Sequence, residues 1–395
     1  MREKKRQVKF ILLFFLAFLC VGILVWQWDF LTSVFTKRSV LGQVTESLNK
    51  DARFCEVKGL IEYKYYPAQT FQKVKNNKFG LYIYAENKNF FEIAQKLVNS
   101  NGGDWGYVLI PYNVRDRDYE KWKQVFRMTN DKHLIPIIQL HDVDSGKFEE
   151  ETLEAAQFLN QFVWPIRNRY VSIYNEPNDA KFWGGKIDPS EYAVIMRYTI
   201  AAFKKENLDF FMLNGAFNTS ADSNASTMDA EVFMKIMNEE VPGIFNELDG
   251  WASHSYPQPN FSGSPDSKGR WSIRAYENEL NFLREELGVK KDLPVFITET
   301  GWAHAEGESF NGSFFSVDRV AEYFKRAYEK VWLKDNRVWA VTPFTVLYEP
   351  PYDHFSWVNK DLVPYKHYEV VKSMEKEQGT PAKLESATEI SLGCR

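Results

Sequence analysis

The sequence predicts an α/β protein, a (β/α)8 TIM barrel preceded by an N-terminal transmembrane helix. Three observations carry that expectation. From Phe79 onward, short β-branched and apolar runs alternate with amphipathic helical periods. Two of those runs end in polar strings that each hold a glutamate, Tyr174-Asn175-Glu176-Pro177-Asn178 and Thr298-Glu299-Thr300-Gly301-Trp302. A basic N-terminus leads into a long uncharged stretch.

The strand candidates lie near residues 79–85, 105–112, 134–140, 169–175, 209–217, 248–256, 294–299 and 337–347. Helical faces fall between them. Phe90, Ala94, Leu97 and Val98 share one face, Tyr276, Leu280, Leu283 and Leu287 another, and Val320, Phe324, Ala327 and Val331 a third. One helix carries a start signal, with Asp188 as N-cap, Pro189 at the first helical position and Glu191 three residues past the cap. Eight strands in alternation with helices predict a closed parallel barrel. A doubly wound open sheet would want a Gly-rich turn after its first strand, where this chain has Tyr84-Ala85-Glu86-Asn87.

Three segments precede from this pattern: a basic tail and anchor at 1–28, a juxtamembrane spacer and lead-in at 29–78, and the barrel at 79–395. Arg2, Lys4, Lys5, Arg6 and Lys9 precede the uncharged run from Phe10 to Trp26. A stretch of about 17–20 apolar residues suffices to span a bilayer. The positive flank predicts a cytoplasmic N-terminus and a barrel outside the cytoplasm, as in a single-pass protein of a bacterial cell membrane. Trp26 and Trp28 stand where an interfacial aromatic belt would lie. A cleaved signal peptide is the competing reading, but no small-x-small pattern follows the apolar run.

The whole chain of 395 residues carries a net charge of −4, and the basic tail leaves the remainder more acidic still. That balance argues against a nucleic-acid partner, which needs clustered Lys and Arg. Of three cysteines, Cys20 lies in the apolar run. Cys55 and Cys394 stand near the two ends of the remainder; they form either a bridge in an oxidising compartment or two free thiols.

The chemistry sits at the strand ends. Glu176 ends the fourth strand and Glu299 the seventh, so a barrel points both into its C-terminal mouth, where such folds place catalysis. A pair of carboxylates across one sugar-sized gap is what acid-base cleavage of a glycosidic bond requires. Asn175 is placed to bind a sugar hydroxyl. His254 and Tyr256 are two apart at the end of the sixth strand and share a face, with Tyr256 able to donate to Glu299. His141 ends the third strand; a structural hydrogen bond is its bland alternative. Trp183, Trp302, Tyr348 and Trp357 lie in expected mouth loops, where aromatic faces stack on sugar rings. Packing under long loops is the alternative for each. His141, His254 and Glu299 are metal-ligand types, yet no ligand spacing or cysteine cluster supports a metal, and no Gly-x-Ser-x-Gly elbow supports a serine hydrolase. No cofactor is expected.

At these residues the chain resembles clan A of the glycoside hydrolases, barrel enzymes with catalytic glutamates on strands four and seven. The Asn175-Glu176-Pro177-Asn178 string resembles family 39 and its exopolysaccharide-cleaving relatives, and Glu299-Thr300-Gly301-Trp302 is similar to the β-1,3-glucanases of family 17. The resemblance spans roughly residues 79–376. It implies that Glu176 is the general acid/base, Glu299 the nucleophile, Asn175 a ligand of the sugar 2-hydroxyl and Tyr256 the partner that holds the nucleophile. The eighth strand lacks the clan's usual tryptophan, with Tyr348 and Trp357 as candidates for its place. Arg115 stands near the position of an arginine often found after strand two. The expected activity is retaining β-glycoside hydrolysis of a cell-surface or exported polysaccharide. A transglycosylase using the same intermediate, and a glycan-binding barrel without catalysis, are the alternatives.

Overall fold

The computed structural model of the protein describes residues 76–382. Within that range the strands are β1 (Gly80–Tyr82), β2 (Gly106–Asn113), β3 (Leu134–His141), β4 (Arg169–Ile173), β5 (Phe210–Asn214), β6 (Trp251–His254), β7 (Val295–Glu299) and β8 (Val338–Val341). They alternate with α1 (Lys88–Val98), α2 (Tyr119–Asp131), α3 (Phe148–Asn160), α4 (Pro189–Glu206), α5 (Ala230–Glu240), α6 (Ala275–Glu285), α7 (Val317–Ala327) and α8 (Lys366–Ser373). The expected anchor at 1–28, most of the spacer, and both Cys55 and Cys394 lie outside the described residues. Among the described residues no helix is long and apolar enough to cross a membrane.

Every run read as a strand is one, but most are shorter than the apolar pattern. The run at 337–347 is a strand only over its first residues, because Pro343 has no N–H to continue the ladder. Helix starts follow side-chain chemistry. Asp188 accepts from the Glu191 N–H at 2.9 Å with Pro189 at the first turn of α4. Asn87, Asp118, Asp229 and Ser316 cap α1, α2, α5 and α7 in the same way.

Strands β1 to β5 pair in order as one parallel sheet and β6 to β8 as another. Parallel bridges between Leu213 and Gly250, and between Phe79 and Val341, close the two seams into a cylinder. At the first seam the Asn214 side chain substitutes for a ladder. Its Oδ1 accepts from the Ala252 N–H at 2.8 Å and its amide donates to the Ala252 carbonyl at 3.0 Å.

The cylinder is filled, not open. Tyr107, Tyr170, Phe211 and Phe296 meet inside it, with Tyr170 and Phe296 ring centroids 4.9 Å apart and Tyr170 and Phe211 5.0 Å apart. Burying each such side chain contributes about 1.5–3 kcal/mol. A larger apolar layer, among it Val108, Ile138, Val171 and Val295, packs the outer strand faces against the helices. The aromatic fill forms a floor, and above it polar side chains begin.

Candidate active site

Strand alternation lifts the polar residues into the mouth. On β3, Ile135 and Ile137 point into the floor; Gln139 and His141 continue the same face upward. On β6, Ala252 belongs to the floor, so His254 stands above it. Strand β7 breaks this rule. Val295 and Ile297 face the helices, and strict alternation would send Glu299 outward with them. Instead the pairing jumps from Ser253–Ile297 to His254–Glu299, and this irregularity turns Glu299 inward.

The segment after β4 is shaped by backbone. Tyr174 and Glu176 adopt φ of +69° and +37°, a region that bulky L-residues seldom occupy. Buried partners hold it there. The Tyr174 ring packs on Trp183 at 5.5 Å and its hydroxyl bonds Thr152 Oγ1 at 3.2 Å. The Tyr192 hydroxyl donates to the Ile173 carbonyl at 2.9 Å and accepts from the Gly215 N–H at 2.9 Å. The Glu176 N–H reaches the Ala216 carbonyl at 3.0 Å.

Both glutamates meet one histidine. His254 is buried, and its Nδ1 is hydrogen-bonded to Glu176 Oε1 at 2.8 Å. Its Nε2 lies 3.6 Å from Glu299 Oε1, beyond hydrogen-bond range. The Tyr256 hydroxyl donates to Glu299 Oε2 at 3.1 Å. Gln139 donates to Asn175 Oδ1 at 3.0 Å and accepts from the Tyr82 hydroxyl at 3.3 Å. The two carboxylates stay partly accessible, with side-chain exposures of 14% and 13%.

The electrostatics are shared. Burial raises the Glu299 pKa and the nearby Glu176 charge adds to that; His254, Tyr256 and Gln139 pull it back without cancelling it. Burial alone would lower the His254 pKa, but the Glu299 charge, the Glu176 hydrogen bond and the Glu176 charge together raise it. Burial and then the two carboxylates push the Tyr256 hydroxyl well up, so it remains a donor. Behind His254, the buried Glu279 accepts from Ser253 Oγ at 2.5 Å, and burial pushes its carboxyl up to about 7.

A cavity of about 880 Å³ opens over the ends of β1 to β4. Asn175, His141 and Tyr348 line it, as do Gln139 and Tyr82, which sequence reading passed over. Trp183 borders it too, but it is buried against Tyr174 and Tyr192 and so is core packing more than an open stacking face. The two glutamates do not line it; they flank its inner end through Asn175 and Gln139. His141 faces the cavity with Nδ1 2.8 Å from Asp142 Oδ2. Arg115 lines it too, half exposed.

Two expected cleft aromatics are corrected. Trp302 is 1% exposed, packs edge-on against Phe324 at 5.1 Å and donates to the Gly263 carbonyl at 2.8 Å. Trp357 is fully buried between Phe324 and His367. Long loops after β6, β7 and β8 cover both, so they are core under loops, not stacking platforms. The ring nearest the end of β8 is Phe344, edge-on to Tyr82 at 5.2 Å and tilted on Tyr348 at 5.3 Å. Gln139 was findable, since it lies two residues before His141 on one strand; Phe344 carried no such signal.

No family model and no curated protein matches the chain, so the likeness to families 39 and 17 rests on the motifs alone. Solved structures are similar at low identity. One is a subgroup II endo-β-1,3-glucanase of glycoside hydrolase family 128 from Pseudomonas viridiflava, at 13% identity and a TM-score of 0.47, covering 76% of this chain and 98% of that one. Another is a β-glucuronidase from Ruminococcus gnavus bound to uronic deoxynojirimycin, at 12% identity and a TM-score of 0.48, covering 75% of this chain. The chain spans about half the length of that glucuronidase, 49%.

Proposed function

We propose that the protein is a retaining β-glycoside hydrolase acting on a cell-surface or exported polysaccharide, held at the cell membrane by residues 1–28. The observation that carries this reading is the meeting of Glu176 and Glu299, from the ends of β4 and β7, on one buried imidazole at the barrel mouth. The basic flank before the apolar run supports the location.

In the first step Glu176 gives its proton to the glycosidic oxygen while Glu299 attacks the anomeric carbon. The C–O bond to the leaving group breaks and a glycosyl ester forms on Glu299. In the second step Glu176 takes a proton from water, whose oxygen displaces Glu299 from the anomeric carbon. Glu299 must be an anion to attack. Burial opposes this, and His254 when protonated, the Tyr256 donor and the Gln139 amide are the groups that favour it.

The test is digestion of a panel of β-linked polysaccharides by the full-length chain in detergent, with product anomers followed by NMR. Retained configuration is expected, and Glu299→Gln should cut turnover roughly a thousandfold or more with the fold intact. Inverted products, or an active Glu299→Gln, overturn the reading. A swapped assignment, with Glu176 as nucleophile, is favoured by the burial-raised Glu299 pKa. An activated 2-fluoro glycoside of the cleaved sugar decides between them by which carboxylate it labels.

A further inference from the structure

The loops after β4 and β8 arise from opposite sides of the cylinder, yet they touch across the mouth. Lys181 Nζ, from the first loop, donates to the Tyr352 hydroxyl of the second at 3.0 Å. The ammonium also lies 5.0 Å from the ring centroids of both Phe182 and Tyr352. Tyr348 stands beside Tyr352 at 5.9 Å. Among the described residues, three of the exposed large apolar side chains, Phe182 at 41%, Tyr348 at 39% and Tyr352 at 38%, gather here.

The charge at this place is also unlike its surroundings. Of the Lys and Arg side chains that line the cavity, three reach a carboxylate: Arg115 to Glu151 at 3.7 Å, Lys121 to Glu86 at 3.4 Å and Lys186 to Glu191 at 2.6 Å. Among the described residues Lys181 reaches none within 4.0 Å. The nearby Asp179 carboxylate is turned to the Lys181 backbone N–H, 2.9 Å away, instead. An ammonium has three N–H donors, and one is spent on Tyr352. Because the Tyr352 hydroxyl accepts that bond, its own proton is free to donate. Two donors 3.0 Å apart therefore stand side by side, one on the cavity-lining Lys181 and one on the exposed Tyr352, a pairing suited to the two oxygens of one carboxylate.

We propose that Lys181, Phe182, Tyr348 and Tyr352 form a subsite for an acidic sugar residue, with the uronate carboxylate on Lys181 and Tyr352 and the ring against the exposed aromatic faces. This deepens the hydrolase reading and rests on it for the term substrate; the binding itself is read without turnover.

The test measures dissociation constants by saturation-transfer NMR for methyl β-glucuronide against methyl β-glucoside, and for the galacto pair, with the full-length chain in detergent. Each pair differs only in the carboxylate. A charge-assisted bond of about 1.5–3 kcal/mol corresponds to a preference of roughly tenfold to a hundredfold for the acid. Lys181→Ala should abolish that preference, Lys181→Arg should keep most of it, and Tyr352→Phe should reduce it. Equal affinity for acid and neutral sugars, undetectable binding of all four, or a preference that survives Lys181→Ala overturns the subsite. A chain that cleaves nothing in the polysaccharide panel but retains the preference loses the hydrolase reading and keeps this one.

Discussion

At the scale of single residues, the site is an exchange of charge among Glu176, His254, Glu299 and Tyr256. Tyr256→Phe isolates one member. The ring contacts with Phe261 at 5.2 Å and Phe355 at 6.0 Å survive, and only the hydroxyl on Glu299 is lost. That hydrogen bond favours the ionised carboxylate, so its loss raises the Glu299 pKa further. The ionised form is then reached only at higher pH. The acidic limb of the kcat/KM profile should move upward, and kcat/KM at the optimum should fall about tenfold to a hundredfold. A profile superimposable on that of the unmodified protein would discard the assignment of Glu299. Residue identities at strand ends were legible because a two-residue period says which side chains share a face. Trp302 and Trp357 were not legible, since nothing in a loop's composition tells an aromatic on its surface from one beneath it.

At the scale of elements, the placement of Glu176 depends on how closely β4 and β5 leave the barrel together. Gly215 permits this. A Cβ there would sit 2.5 Å from the Ile173 carbonyl oxygen and 2.8 Å from the Tyr192 hydroxyl. Gly215→Ala must therefore push the segment carrying Tyr174 and Glu176 aside. A loss of about 1–3 kcal/mol is expected, with turnover falling by more than the unfolded fraction explains. Thermal unfolding read beside kcat checks this; an unchanged Tm with full activity would show that the strands have room to spare. The elements themselves could be read from hydrophobic period and capping residues. The irregularity before Glu299 could not, because it is a pairing between two strands, and neither Ser253 nor Thr298 announces it. The inward turn of Glu299 was expected from the motif; alternation along β7 alone would have pointed it outward.

At the scale of the molecule, the closed cylinder needs its floor and its seams. Level with the aromatic fill, on the helix side of the first seam, Lys204 of α4 meets Asp249 ahead of β6 at 2.6 Å, and Asp249 Oδ2 also accepts from the Met212 N–H of β5 at 2.8 Å. Both side chains are buried, and burial raises the Asp249 pKa against the pull of Lys204. Removing the cation alone strands a buried carboxylate. Lys204→Met should cost about 3–5 kcal/mol in denaturant unfolding, while Lys204→Met with Asp249→Asn should cost distinctly less. Equal losses would mean that the pair contributes only packing. Eight-fold alternation made the barrel legible, but not where it is stitched and where it is continuous. That depends on backbone geometry at Gly250 and Phe79, which hydrophobic period does not encode.

The continuous ladders divide the wall into one plate of five strands and one of three. Glu176 rides on the larger plate; His254 and Glu299 ride on the smaller. The separation between the reacting carboxyls is therefore a joint dimension, not a bond length of either plate. An asparagine clasp on one side and an imidazole rivet across the top help to keep that joint shut, beside the backbone bonds from Asp249 to Met212 and from Tyr82 to Pro343, so a substitution at either seam can change the carboxyl separation while touching neither glutamate.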